Sequence, residues 1–148
     1  MTVYLAGVCG GFHRVTRATN HIFSHNSYNT TSLAPFQTCV WHLSSRHRVR
    51  LTAISFDLVD SPSISSYSVA RRARSRGRGK TRRNSARVCG MNFLEVLDGG
   101  RRIGRFCNDR KLSVFSSKTS TVKLKLVTQS DNPGKGFHIK FSRLTWTE

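Results

Sequence analysis

Four cysteines constrain this chain more than any other feature. Cys9, Cys39, Cys89 and Cys107 are separated by 29, 49 and 17 residues. Structural zinc sites draw ligands from close pairs on tight knuckles, and no CxxC, CxxxxC or His-x3-His spacing occurs here. An even cysteine count in a short chain then points to two disulfides, with all three connectivities open. Disulfides persist in oxidising compartments, so the chain is expected to be secreted or to be an extracellular domain of a larger protein. The sequon Asn29-Thr30-Thr31, with Pro35 and further polar residues nearby, makes Asn29 a glycosylation candidate on an exposed loop. Residues 1–8 are apolar but too short, and lack the charged start, for a signal peptide. No apolar run of ~18 residues is long enough to span a bilayer. The expectation is that the true N-terminus lies elsewhere or that this is one domain of a longer chain.

A length of 148 residues suits one domain. Strand patterns fill most of it. Cys39-Val40-Trp41-His42-Leu43 and Val49-Arg50-Leu51-Thr52-Ala53 alternate apolar and polar residues. After Ala53 the apolar role passes to Ile54, Phe56 and Leu58, and that change of parity predicts a β-bulge or a crossing between two buried environments. Phe93-Leu94-Glu95-Val96-Leu97 reads as a strand closed by Asp98-Gly99-Gly100, a turn suited to a hairpin. Thr121-Val122-Lys123-Leu124-Lys125-Leu126 and Phe137-His138-Ile139-Lys140-Phe141 alternate on either side of Asn132-Pro133-Gly134, and read as a second antiparallel hairpin. Trp41, Phe56, Phe93 and Phe137 are expected core residues. No segment holds a helical period, which leaves an all-β antiparallel sandwich or barrel.

The pattern stops between 61 and 87. Ser61 to Ser68 is Ser-rich and Ala70 to Arg87 is rich in Arg, Gly and Ser. Such a composition cannot bury enough apolar area to offset the entropy of ordering. The stretch is read as a disordered basic insertion between two strands of a single domain over residues 9–143. It also concentrates charge: nine of the 25 Lys+Arg lie between Arg71 and Arg87. The remainder still holds 16 basic against 7 acidic residues, so the domain itself is basic. A net charge of +18 favours polyanionic partners such as glycosaminoglycans, nucleic acid or anionic membranes, without choosing among them.

The ordered motifs resemble the CUB domain family, of which spermadhesins are single-domain members, from Cys9 to Phe141. Cys9-Gly10-Gly11 is similar to the family's opening, Ser24 to Tyr28 to its loop before the second cysteine, and Cys39-Val40-Trp41 to its Cys-x-Trp. Val49 to Leu58 resembles the strand ending in F-D-L. Cys89, Phe93 to Val96, Asp98-Gly99 and Ile103-Gly104-Arg105-Phe106-Cys107 follow in family order, as do Ser116-Ser117, Ser130-Asp131 and Gly136-Phe137. The resemblance implies a two-sheet jelly-roll sandwich with disulfides Cys9–Cys39 and Cys89–Cys107, each contributing roughly 3 kcal/mol. It also implies an extracellular, non-catalytic module that binds proteins or acidic glycans through loops at one end.

Many such domains hold Ca2+ there in an acidic cluster, and calcium takes six to eight oxygen ligands. The family's Glu after F-D-L falls on Val59, with Asp60 one place later; its Asp after the third cysteine falls on Asn92; Asp131 is retained. Asp60, Asn92 and Asp131 are thus a degenerate calcium site, with Tyr28 expected near the same end. The run Arg71, Arg72, Arg74, Arg76, Arg78, Lys80, Arg82 and Arg83 is the candidate polyanion arm, since arginine forks suit sulfate. Arg71-Arg72-Ala73-Arg74 also fits the R-x-x-R pattern of secretory proprotein convertases, which marks Arg74 for cleavage. The alternative function is nucleic-acid binding through Arg76-Gly77-Arg78-Gly79, although no aromatic residue within 70–87 is available to stack on bases. For an enzyme there is little: the six histidines show no H-E-x-x-H spacing, and neither a G-x-S-x-G elbow nor a P-loop occurs.

Overall fold

The alternating segments become strands because each has one apolar face to bury. The computed structural model of the protein describes residues 9–25, 28, 30–60 and 89–144. The strands are β1 (Gly11–Arg14), β2 (Asn20–Phe23), β3 (Gln37–Ser44), β4 (Arg48–Asp57), β5 (Phe93–Asp98), β6 (Arg101–Phe106), β7 (Val114–Ser116), β8 (Thr121–Thr128) and β9 (Gly136–Leu144). They form a five-stranded sheet in the order β1-β3-β8-β5-β6 and a four-stranded sheet in the order β2-β9-β4-β7. The two sheets face each other as a sandwich. Cys39, Trp41, Leu43, Leu94, Val96, Val122, Leu124 and Leu126 are buried on one inner face, and Ile22, Val49, Leu51, Phe137, Ile139 and Phe141 on the other. Trp41 and Phe137 meet between the sheets edge to face, ring centroids 5.6 Å apart. Trp41, Phe56, Phe93 and Phe137 are all buried, as expected.

Both disulfides implied by the resemblance are present: Cys9–Cys39 and Cys89–Cys107, with Cα atoms 5.4 and 5.5 Å apart. The first ties β1 to β3. These two strands pair in parallel, Gly11 opposite Trp41, so the five-stranded sheet is mixed and not antiparallel throughout. Gly10 makes the approach sterically feasible: its φ is +82°, and a Cβ there would lie 2.2 Å from the Val40 carbonyl oxygen.

The β5–β6 hairpin is as read. Asp98 pairs with Arg101, and Gly99 and Gly100 turn the chain with φ of +62° and +89°, the signs a type I′ turn requires. The parity change in β4 is a register shift between Ala53 and Ser55. It moves Phe56 and Leu58 inward but leaves Ile54, at the irregularity itself, 50% exposed rather than buried.

The second expected hairpin does not form. β8 pairs with β3 and β5, whereas β9 pairs with β2 and β4 in the other sheet. Alternation specifies one buried face per strand but not the sheet that supplies it. The connection crosses the core edge, where the Pro133 and Gly134 carbonyls accept from Val59 and Leu33 amides. The stretch read as an insertion, together with Asn29, lies outside the described residues.

Candidate functional site

At the end of the sandwich where the F-D-L segment leaves β4, three loops converge: 58–60, 89–92 and 129–131. Asp60 organises the second. Its Oδ2 accepts from the amides of Cys89 and Gly90 at 3.0 and 3.2 Å, and its Oδ1 from those of Met91 and Asn92 at 2.8 and 3.2 Å. Four successive backbone N–H groups thus enclose one carboxylate, an anion nest whose anion is the protein's own. Asn92, fully buried, ties the three loops together. Its amide nitrogen donates to the Val59 carbonyl (2.6 Å) and Ser130 Oγ (2.7 Å), and its oxygen accepts from the Gln129 amide at 2.7 Å. Asp131 stands exposed beside this knot.

These residues were the candidate calcium ligands, and their donor set does not fit the ion. A calcium site needs oxygens turned toward a common point. Both Asp60 oxygens are engaged by amides, the Asn92 oxygen faces Gln129, and its NH2 is aimed at the oxygens that would otherwise coordinate. Of the three, only Asp131 offers a carboxylate with no hydrogen bond or ion pair to another described residue. Among the described residues no group of three or more His, Cys, Asp or Glu side chains converges to hold a metal. Asp60 and Asn92 are brought together as expected, but as a hydrogen-bonded latch. Tyr28 makes no hydrogen bond to Asp60 or Asn92 among the described residues: its hydroxyl hydrogen-bonds Ser55 Oγ, near the end of β4, and its ring packs against Phe23 and His138 on the outer face of the four-stranded sheet.

Other carboxylates are also turned to internal use. Asp98 accepts from the Lys118 and Thr119 amides and the Thr119 hydroxyl. Asp57 accepts from Asn108 Nδ2 and the Lys135 amide. Burial pushes the Asp57 carboxyl up, but these bonds and the charges of Lys135 and Lys111 outweigh it, so Asp57 ionises below its ordinary range. Glu95, 8% exposed, is shared by Arg102 (3.2 Å) and Arg105 (3.4 Å). Of the six described carboxylates, then, Asp57, Asp60, Glu95 and Asp98 are satisfied by the fold.

The cations are distributed differently. The outward side chains of the five-stranded sheet form two rows across it. Phe12 pairs with His42, His42 with Lys123, Lys123 with Leu97 and Leu97 with Arg102; Val40 pairs with Lys125, Lys125 with Glu95 and Glu95 with Arg105. The Arg105 guanidinium lies over the Phe93 ring at 4.1 Å and is thereby fixed. Arg14, Lys123 and Lys125 have no ion-pair partner among the described residues. At the end of this face opposite the Asp60 latch, a cavity of about 540 Å³ opens between Arg14, Lys123, Phe12 and the Gly100 turn.

Sequence reasoning named none of these rows, although the alternation of lysines in β8 was legible and the facing Arg102 and Arg105 followed from the hairpin register. It also missed an imidazole pair on the opposite sheet. His21 Nδ1 and His138 Nε2 are hydrogen-bonded at 2.8 Å, with Phe23 stacked on His138. Burial, and then the charge of His21, lowers the pKa of His138. The candidate residues Arg71, Arg72, Arg74, Arg76, Arg78, Lys80, Arg82, Arg83 and Asn29 lie outside the described residues.

The CUB domain family model matches residues 78–141. The chain is 23% identical over 139 residues to zinc metalloproteinase nas-39 of Caenorhabditis elegans and to the dorsal-ventral patterning protein tolloid of Drosophila melanogaster. These matches take in 90% of this chain but 13% and 11% of the relatives, so the chain spans about an eighth of their length. Among solved structures, the MASP-1 CUB2 domain bound to Ca2+ superposes with a TM-score of 0.61 at 14% identity, covering 90% of this chain and 99% of that one. The extracellular region of zebrafish Gpr126 superposes with a TM-score of 0.62 at 16% identity, over 89% of this chain and 14% of that one.

Proposed function

We propose that the CUB domain carried by this chain is a non-catalytic binding module for acidic partners, proteins or sulfated glycans, and that it works without calcium. CUB domains are generally extracellular protein-binding modules, and this one has the two disulfides that an oxidising compartment preserves. The observation that carries the reading is the asymmetry of charge use. Four of the six described carboxylates are consumed by internal hydrogen bonds, while Arg14, Lys123 and Lys125 have no ion-pair partner among the described residues. A partner that supplies negative charge completes what the fold leaves open.

The Arg71–Arg83 run would supply further cations for the same acidic partners. Cleavage after Arg74 would alter how that arm is presented, and glycosylation at Asn29 would mark passage through the secretory pathway. Calcium is assigned no role, because the Asp60 and Asn92 oxygens are already engaged.

The test is chromatography of the intact chain on immobilised heparin and on an immobilised acidic protein, in EDTA and in CaCl2. Retention at low salt is expected on both, falling steeply as NaCl rises beyond about 0.15 M, where the screening length drops below ~8 Å. EDTA should leave the elution point unchanged. Passage through both columns at low salt overturns the reading. Tighter retention by single-stranded DNA than by heparin of equal charge replaces it with the nucleic-acid alternative.

A further inference from the structure

From the outer face of the five-stranded sheet we infer a defined site for a linear sulfated glycan, lying across the strands and ending in the cavity beside Arg14. The inference rests on the acidic-partner reading and gives it a place and a ligand class.

The outward side chains on this face form two cross-strand rows that bring the cations of β1, β8 and β6 onto one surface. In register order across β1, β3, β8, β5 and β6 come Phe12, His42, Lys123, Leu97 and Arg102, with Arg14 beside Phe12 on β1 and Lys125 and Arg105 in the neighbouring row. At about 4.8 Å per strand, the row is roughly 19 Å wide. A small anion would touch two of these groups, whereas a linear polyanion reaches all of them. Glu95 is the one carboxylate in these two rows, and Arg102 and Arg105 neutralise it. That pairing, and the Phe93 ring beneath Arg105, holds a guanidinium in place before a ligand arrives, which lowers the entropy cost of binding.

The direction of the row selects the occupant. A peptide captured by a sheet adds along an edge and runs with the strands; these cations stand on β1, β8 and β6, spread across the sheet. The cavity end adds an apolar wall. Phe12 is 84% exposed and stacked on His42 with ring centroids 4.5 Å apart, a flat surface suited to the C–H face of a sugar ring. Arg14 and Lys123 line the same cavity, where they meet sulfate. This site lies at the opposite end of the sandwich from the Asp60 latch, so the two are separable.

The test uses the full chain and surface plasmon resonance on heparin at about 0.15 M NaCl. The triple variant Arg14→Gln, Lys123→Gln, Lys125→Gln removes three cations that have no ion-pair partner among the described residues, so its thermal unfolding should match the parent. Its Kd should rise at least ~10-fold, with a shallower salt dependence because fewer counterions are released. Phe12→Ala should weaken binding about 3-fold. A second variant replaces the eight cations of the Arg71–Arg83 run with Gln. If that variant alone abolishes binding and the triple variant binds like the parent, the site is refuted while the acidic-partner reading stands. If the parent itself ignores heparin at low salt, both fail. Displacement of the chain by polyglutamate as readily as by heparin would refute the glycan assignment.

Discussion

At the loop end, Asp60 faces four backbone amides and Asn92 three loop groups. Across the five-stranded sheet, the half-buried Lys123 and Lys125 have no carboxylate within ion-pair reach among the described residues. The same domain thus closes its polar groups on themselves in one region and leaves them open in another. The contrast separates structure from function by a physical criterion. A buried polar group must be satisfied by the fold, because leaving it unpaired costs about 1–3 kcal/mol. An exposed cation is satisfied by water and is free to exchange that water for a partner.

The strongest way to break this comparison is to mutate both regions alike. Asn92→Ala removes three hydrogen bonds made by a fully buried side chain and takes their partner from the part-buried Gln129 amide and Val59 carbonyl. It should destabilise the domain by about 3 kcal/mol or more. Lys123→Gln should stay within ~0.5 kcal/mol. Denaturant unfolding of the two variants measures the difference. Equal effects would erase the distinction between latch and open face.

Asp60→Asn is gentler, since it keeps the shape and one acceptor oxygen. It replaces an anion by a neutral amide whose NH2 opposes two of the four backbone donors. Charge-assisted hydrogen bonds are roughly twice as strong as neutral ones, so a loss of about 1–2 kcal/mol is expected in the same assay. A loss below ~0.3 kcal/mol would mean that the nest does not stabilise loop 89–92.

Titration sharpens the comparison with a smaller effect. Asp57 has a depressed folded pKa, so its contribution is present above its unfolded value, near 4, and is lost as pH falls through the folded value. His138 is also depressed, but a histidine acts through its neutral form. Between the folded pKa and about 6.5 the unfolded chain binds the extra proton, so stability falls as pH drops through that window and then levels off. Melting curves from pH 7.5 to 5 should therefore show a modest loss that His138→Gln removes. The further loss below pH 4 should diminish in Asp57→Asn.

The sequence made the strands, the β5–β6 hairpin and the β4 irregularity legible, because each depends on local spacing: Gly99-Gly100 can only turn, and the apolar parity changes between Ala53 and Phe56. The pairing of β8 and β9 was not legible. Their Val, Leu, Ile and Phe residues declare a buried face equally well for either sheet, and only the fold assigns the partner. The parallel placement of β1 came through a disulfide whose pairing the spacing left open. At the candidate site, identity was readable and role was not. Asp60 and Asn92 were picked out as oxygen donors, but whether an oxygen faces a cation or an N–H depends on loop geometry that no single residue type encodes. The lysines of β8 were read as solvent-facing, and the arginines opposite them became meaningful only once the register aligned them.

The smallest effect expected is also the most discriminating one: none. A calcium site with Kd near 10 μM would stabilise the domain at 1 mM CaCl2 by RT ln(1 + [L]/Kd), about 2.7 kcal/mol, a melting shift on the order of 10 °C at this size. The latch geometry predicts a shift under 1 °C between EDTA and 1 mM CaCl2, because binding would first have to strip Asp60 of four amide bonds. Asn92→Asp carries the comparison further. It turns a donor into an acceptor against the Val59 carbonyl and sets a second carboxylate beside Asp60, so it should cost about 2 kcal/mol in EDTA. That loss should persist in CaCl2, since the Asp60 oxygens remain enclosed. If calcium instead restored the variant to parental stability, a single amide would be all that separates this loop end from a cation site, and the latch would be an occupied version of the same architecture rather than a different one.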